Sequence, residues 1–584
     1  MRFIVAIVSF IVAFLMISYG IAQRTILAEP DHVAATADLS TSATVTVIDG
    51  EVLNAVDGRQ KVEISGTDTI FAAYGTTSDV LAWIGDTGYN QLGLDAETST
   101  LTNTLVRGTE TVVPDPHGSD LWLAEYSRDK ELAFVVNVPS NVSIVFVSDG
   151  TQRSPGHVSI TWPVDNRTPW SGPLIVGGVL LLLAGLGLYL WALSYLRKAS
   201  GPRRKPPKMP KPPKRLKYKP TKQKAITAKK GRRSTTRMTA IVPVLLIGTL
   251  GLSSCSAESW PEFLGGNPSS TPTPTATDPS VPASNEKPPV VTVSQLEGIV
   301  SKIALVAQKA DADRDAALVA TRFDGPAREL REANYAIRRS DNSYSPLAAI
   351  PSGAVEVTLP QQNDTWPRTV FTVVKDSKDD TVLPTALMLI QQTPRENYKV
   401  VYAVALLAAL PPVAAAEVGT QRLKPDLKLF ALPPDELALD YGDILLNGPK
   451  SAFLKNFDME NDSLIASIGF DAKATRKASL PSIASMEFGN HVGEGEIIAM
   501  ASNDNGAIVA VYLNETVTVK PVEPGAIINA EGAVKSLSGV SSTTKGTIAT
   551  YGDQLLFYVP PSTSDKKIVL IGWASALIAA VELG

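Results

Sequence analysis

The sequence predicts a multidomain membrane protein with an all-β sandwich-like outer domain and an α+β C-terminal region of two tandem helix-then-curved-sheet units. Three observations predict it. Long uncharged apolar runs punctuate the first 255 residues. Short alternating strands with turn pairs fill the stretch between the first two runs. Beyond residue 293, a helix-then-meander order occurs twice.

Residues 1–24 read as an N-terminal membrane anchor. Phe3 to Ala22 is apolar for 20 residues after Arg2, about 30 Å of helix. Gly20-Ile21-Ala22 also fits a signal-peptidase site, but the run is long for a signal peptide. Either reading sends the chain beyond residue 24 out of the cytoplasm.

Residues 29–170 form the outer β domain. Runs such as Thr44–Ile48, Thr69–Tyr74, Leu132–Val136, Val142–Val147 and His157–Trp162 have the period of strands. Asp49-Gly50, Asp57-Gly58 and Asp149-Gly150 read as turns, where Gly takes positive φ without strain. Asp115, His117 and Asp120 in PDPHGSD suggest metal ligands, yet no second His is near, and a solvated turn is the better reading. Asp165-Asn166-Arg167 marks the seam with the membrane.

Leu174 to Leu196 is the clearest transmembrane helix, uncharged and flanked by Trp170, Tyr189, Trp191 and Tyr195. Residues 197–237 come next with 18 Lys/Arg, no acid and seven Pro, a composition for an unpacked cytoplasmic loop. Arg203, Arg204, Lys205, Lys208, Lys211, Lys214 and Arg215 are placed at the membrane surface, where anionic lipid attracts them. The second helix then runs from outside to inside and the first from inside to outside.

Residues 238–255 are a third membrane segment or a lipoprotein-type signal. The apolar run ends in Leu252-Ser253-Ser254-Cys255, resembling a bacterial lipobox. Lipidation needs a thiol, and Cys255 is the only one in the chain. The same count excludes an intrachain disulfide and a Cys-based zinc site. Residues 256–292 are a Ser/Thr/Pro-rich linker, too polar for a core.

The first α+β unit is placed at 293–432 and the second at 433–584. Ser294-Gln295-Leu296-Glu297 reads as a capping box, followed by apolar residues at helical spacing from Leu296 to Ala307. A second helix is expected over about 327–339, then strands near 354–359, 368–375, 382–392 and 398–410. Helices near 435–456 and 463–476 open the second unit, before strands near 496–502, 507–513, 554–559 and 567–576. Asn505-Gly506 is a hairpin signal. The hairpin of Leu387–Ile390 and Lys399–Tyr402 matches that of Leu555–Tyr558 and Lys567–Leu570, which indicates an internal repeat.

This element order is similar to the cystatin-like and nuclear-transport-factor-like folds, in which helices pack in the concave face of a bent sheet. The architecture, through Trp162-Pro163-Val164-Asp165-Asn166-Arg167-Thr168-Pro169-Trp170-Ser171-Gly172-Pro173-Leu174-Ile175, resembles an actinobacterial family of uncharacterised membrane proteins. Members are sometimes labelled glycosyltransferases, which would imply a DxD-type metal site.

The residues do not support that chemistry. Asp311-Ala312-Asp313 lies within an expected helix, where i and i+2 do not share a face, and reads as solvated surface. No GxxxxGK[ST], HExxH or GxSxG occurs, and Asp324, Asp364 and Glu417 are isolated. His491, in NHVGEGE, is the best remaining candidate, as an anion loop or a plain strand connection. No catalytic residue, metal or cofactor is assigned.

The expectation is a membrane-anchored cell-envelope protein of non-enzymatic binding or scaffold type. Its outer parts, 25–173 and 256–584, would meet wall polymer, lipid or partner proteins. The alternatives are an envelope enzyme acting on glycans and a transmembrane sensor signalling through the basic loop. The net charge of −4 averages two compartments. With the 18 loop cations set apart from the total of 54, the remainder is strongly acidic against 58 carboxylates, and no nucleic-acid partner is expected.

Overall fold

The computed structural model describes residues 2–199 and 287–584, apart from 29, 41, 96–99, 165–167, 377, 378, 380 and 461. Cys255, the basic residues 203–215, the third apolar segment, most of the linker and the 165–167 seam lie outside the described residues. The chain divides into two compact units. One comprises Met1–Ala34, Val56–Gln60 and Thr161–Ser280, the other Ala35–Ala55, Lys61–Ile160 and Val281–Gly584.

The first unit is built on two apolar helices, α1 (Arg2–Thr25) and α4 (Ser171–Ala199). Both are long and apolar enough to cross a membrane. They pack antiparallel. Ala6, Ala13 and Gly20 are the buried positions of α1, seven residues apart, and face Gly178, Gly185 and Ala192, also seven apart. A Cβ on Gly178 would sit 2.6 Å from Ile17 Cγ1, and one on Gly20 would sit 2.8 Å from Ile175 Cγ1. Small residues here let the backbones approach, which is how helices associate where lipid removes the hydrophobic drive. Phe3 and Tyr189 meet edge to face at one end.

The outer β region contains β1 (His32–Asp38), β2 (Val45–Ile48), α2 (Gly50–Leu53), β3 (Gln60–Thr76), α3 (Thr77–Ile84), β4 (Tyr89–Asp95), β5 (Thr100–Val106), β6 (Ala124–Val136), β7 (Val142–Val147) and β8 (His157–Pro163). They form one connected eight-stranded sheet in the order β1-β8-β3-β7-β2-β4-β5, with β6 on β3. β2 and β4 run parallel, so this region is mixed α/β. Two short helices enter what the strand pattern presents as all-β. Asp49-Gly50 opens α2 instead of a turn. Gly50 is required there, because a Cβ would lie 2.2 Å from Ser140 O. Thr76 caps α3 by accepting from Asp79 N.

The C-terminal region contains α5 (Val293–Asp313), α6 (Ala316–Val319), α7 (Gly325–Ser340) and strands β9 (Val355–Pro360), β10 (Arg368–Val374), β11 (Thr385–Gln391), β12 (Lys399–Leu406) and β13 (Arg422–Leu423). Then come α8 (Leu437–Asn447), α9 (Ser463–Ile468), α10 (Phe470–Ala478), β14 (Ala484–Val492), β15 (Ile498–Ala501), β16 (Ala507–Pro521), β17 (Ile528–Asn529), α11 (Gly532–Ser538), β18 (Ser542–Thr543), β19 (Thr547–Val559) and β20 (Val569–Glu582). The capping box of α5 is Thr292 with Gln295, two residues before the expected one. The expected 435–456 helix stops at Asn447, where Gly448 takes φ +52, and continues as two 3-10 turns. Asn505, at φ +62, turns the β15–β16 hairpin as its sequence requires.

The two halves join in one ten-stranded sheet, ordered β13-β15-β16-β19-β20-β12-β11-β10-β9, with β14 on β16. The matching hairpins therefore meet last strand to last strand, β12 against β20. Matching backbone bridges occur in both halves. Asp324 N donates to Val400 O and Val400 N to Arg322 O, while Asp458 N donates to Ile568 O and Ile568 N to Asn456 O. Phe323 and Phe457, buried at the centres of these bridges, are equivalent.

The sheet nearly closes on itself. Thr420, just before β13, exchanges backbone bonds with Pro360 at the end of β9 and with Gln362 just beyond it. The Tyr402 hydroxyl on β12 donates to Glu496 O beside β15. The inner faces of both halves share one core of Phe371, Met388, Val404, Met500, Ile508 and Leu556. The outer faces carry separate cores. Leu296, Ile299 and Ile303 of α5 pack on Val370 and Leu389, and Tyr441 and Ile444 of α8 pack on Val511 and Phe557. Helices α5 and α8 thus cover the faces turned away from the shared core, whereas Leu330 of α7 packs within it.

Among the described residues, the ion pairs of the outer β region with the C-terminal region all go to its first half. Asp120 is fully buried and takes Arg322 at 2.5 and 3.2 Å, with Tyr398 N at 2.9 Å. Arg368 meets Asp79 at 2.6 Å, and Arg395 meets Glu110 at 2.8 Å.

Candidate functional site

β12 and β20 pair only at Ala405↔Trp573 and Leu406↔Gly572. Elsewhere β20 is bound to β19 through a ladder of twelve partners, and β12 to β11. A long ladder on each outer side and a short one at the seam make the strands part. Helix α7 packs against both and occupies the gap. Gln554 of β19 reaches across it and accepts from Ala403 N at 2.8 Å.

The space that α7 leaves open is a cavity of about 700 Å³. Its walls are mainly apolar and include Leu330, Leu347, Ile350, Val404, Trp573 and Ala574. Val382, Leu383 and Leu407 line it while remaining 44%, 50% and 40% exposed. Thr385, Gln554 and Ser575 add polar points. An apolar hollow with a few convergent polar groups is the usual form of a small-molecule site.

Two charged groups, Asp376 and Arg331, form part of the wall, and Arg331 is the buried one. It is 3% exposed, and its guanidinium lies 4.6 Å from the Phe323 ring centre. It donates to Asp311 Oδ2 at 2.6 Å and to Ala348 O at 3.3 Å. The Tyr335 hydroxyl donates to Asp311 Oδ1, and burial together with that bond pushes its pKa well above the usual phenol value. Asn334 donates to Ser345 O, so α7 also anchors the loop that walls the cavity. Asp311 is therefore not solvated helix surface. It is the internal counter-ion of Arg331, and Asp313 points away, exposed.

A second polar cluster lies on the α8–α10 side of the sheet. Lys473 of α10 and Glu515 of β16 form an ion pair at 2.5 Å, with side chains 6% and 3% exposed. Burial pulls the lysine pKa down and pushes the glutamate up, each opposed by the partner's charge. Asp553 of β19 is fully buried nearby, and neither carboxyl oxygen makes a hydrogen bond. Burial pushes its pKa up to about 7. Ser575, opposite it on β20, favours the charged form without reaching bonding geometry.

The other candidates disperse. Asp115 and His117 pair locally at 2.6 Å on the surface, and Asp120 turns inward to Arg322, so the three do not converge. Among the described residues no cluster of three His, Cys, Asp or Glu could hold a metal. Asp364 pairs with Lys287 at the surface, Glu417 is exposed, and Asp324 precedes α7 without capping it. His491 is exposed on β14 opposite Asn514. The glycines after it answer to packing, since a Cβ on Gly493 would lie 2.2 Å from Tyr512 and one on Gly495 would lie 2.7 Å from the Tyr402 hydroxyl.

Arg331 had one sequence signal. It stands four residues after Ala327 and four before Tyr335, a charged residue on the apolar face of a helix. Asp553 had none, since Gly552-Asp553-Gln554 reads as a turn.

A family model described as a domain of unknown function (DUF8094) matches residues 287–582, just over half of the 584-residue chain. No curated protein and no solved structure matches the chain.

Proposed function

The chain belongs to the DUF8094 family, and because the matched span contains every residue lining the seam cavity, we propose that this domain is a binding module for an amphipathic ligand, carried by a membrane-anchored cell-envelope protein. The observation that carries the reading is the cavity itself. It is of ligand size, mainly apolar, and rimmed by exposed aliphatic residues at the split between β12 and β20. A lipid acyl chain suits those walls, with its polar end at Thr385, Gln554 and Ser575.

Two further observations support the membrane setting. The small-residue faces of α1 and α4 suit a helix pair in lipid, which favours a retained anchor over a cleaved signal. The outer β region, which lies between those helices in sequence, shares buried ion pairs with the C-terminal region. Regions that share such an interface lie on one side of a membrane. Two crossings at α1 and α4 then require a further crossing, or export as a lipoprotein at Cys255, within residues 200–286. The apolar run 238–254 is suited to either. The basic loop would sit in the cytoplasm and both folded regions outside, in line with the actinobacterial envelope proteins that the chain resembles.

The test is saturable binding of a fluorescent acyl probe to the full-length protein in nanodiscs. Ala574→Trp, which fills the cavity, should weaken binding at least 10-fold with unchanged thermal melting. Absence of saturable binding by the wild type would sink the proposal.

A further inference from the structure

We infer that the junction between the outer β region and the first C-terminal half is a self-sufficient assembly interface, one that keeps the two regions together as separate polypeptides when the segment 200–286 is cut. This rests on the junction alone, independently of the cavity.

The charges on the junction are segregated. Among the described residues, its four ion pairs all run one way. Asp79, Glu110 and Asp120 come from the outer β region, and Lys302, Arg322, Arg368 and Arg395 from the C-terminal region. Such complementarity is the mark of two surfaces that select each other. The central pairs are desolvated, with side chains 0% and 7% exposed for Asp120 and Arg322, and 8% and 4% for Asp79 and Arg368. Separated, each surface would leave charges without their partners, so neither is suited to stand alone.

The remaining contacts make the fit specific. Arg395 donates to Trp83 O at 3.0 Å and Ile84 O at 2.7 Å, so a C-terminal residue completes the last turn of α3. Gly85, at φ +62, gives it room, since a Cβ there would lie 3.1 Å from the guanidinium. Asp120 N donates to Asn397 Oδ1, and Gln295 donates to Leu121 O. Trp83 and Trp122 meet edge to face, and Trp366 from the other side packs against their cluster beneath the Arg368 guanidinium. Tryptophan and arginine at a desolvated centre are the residues that dominate protein–protein affinity. The partners are 174 to 312 residues apart in sequence, and none of these contacts uses the connecting segment.

The experiment uses the full-length protein in detergent, with an N-terminal tag and a specific protease site inserted between residues 270 and 280. After cutting, the C-terminal piece is expected to co-elute with the tagged piece, with a half-life of hours. Glu110→Arg, at a 46% exposed position that tolerates substitution, should speed its release at least 10-fold. Arg322→Asp should release it at once, while the uncut variant still melts cooperatively. If the wild-type pieces part during the first wash, the inference fails. It fails equally if they stay together but neither variant changes the release rate, because the segregated charges would then not hold them.

Discussion

Asp553 shows what a single residue contributes against its own surroundings. Its folded form keeps a proton up to about pH 7, whereas an ordinary aspartate releases it near 3.8. Between those values folding takes up a proton, so this residue makes stability fall as pH rises from about 4 to 7, and the loss persists above that window. Asp553→Asn removes the ionisation and keeps the shape. It is expected to stabilise the protein at pH 8 by roughly 2–4 kcal/mol and to leave it little changed at pH 4. Denaturant melts at both pH values check this, and an equal effect at both would contradict the burial argument. Asp440, raised to about 6 by burial and by the neighbouring Glu436 and Asp443, supplies part of the slope that remains.

At the scale of elements, small residues at seven-residue spacing bring α1 and α4 together. Gly178 lies against Ile17 and the carbonyl of Ala13, so a larger side chain must push the helices apart. Gly178→Leu is expected to abolish cross-linking between cysteines introduced at Phe3 and Tyr189, whose rings are 5.9 Å apart in the native pair. Gly187→Leu, where a Cβ meets nothing within 4 Å, should leave it intact. The same logic governs the seam of the ten-stranded sheet. Two short hairpin ends meet at β12 and β20, and the place where their pairing fails becomes the cavity.

At the scale of the whole molecule, the two halves meet strand to strand in one sheet but are used differently. Arg322 of the first half holds Asp120, while its counterpart in the second half is Asn456, which carries no charge. The outer β region therefore has one place to dock. Together with the proposed topology, this arrangement gives a test of sidedness. In a Cys255→Ala background, Glu131→Cys and Lys535→Cys, both exposed, should react with an impermeant maleimide in intact cells. Lys208→Cys should react only after permeabilisation. Opposite accessibility of the first two positions would contradict the shared interface.

Periodicity and composition determined the local features of this protein. The two apolar helices, most of the strands from Val45 to Glu582, the Asn505-Gly506 turn and the repeated hairpin are legible because each depends on residues near in sequence. Strand β14 and helix α11 were not legible, because β14 is largely polar and becomes a strand only through its pairing with β16. The tertiary structure alone decided that the two meanders share one sheet and that the seam opens into a cavity. It also decided that Asp120 and Asp553 are buried and Asp311 half-buried, whereas Asp115, Asp313 and His491 lie outside. Burial and charge pairing join residues hundreds of positions apart, and they set the electrostatics of a carboxylate in a way that its sequence neighbours cannot.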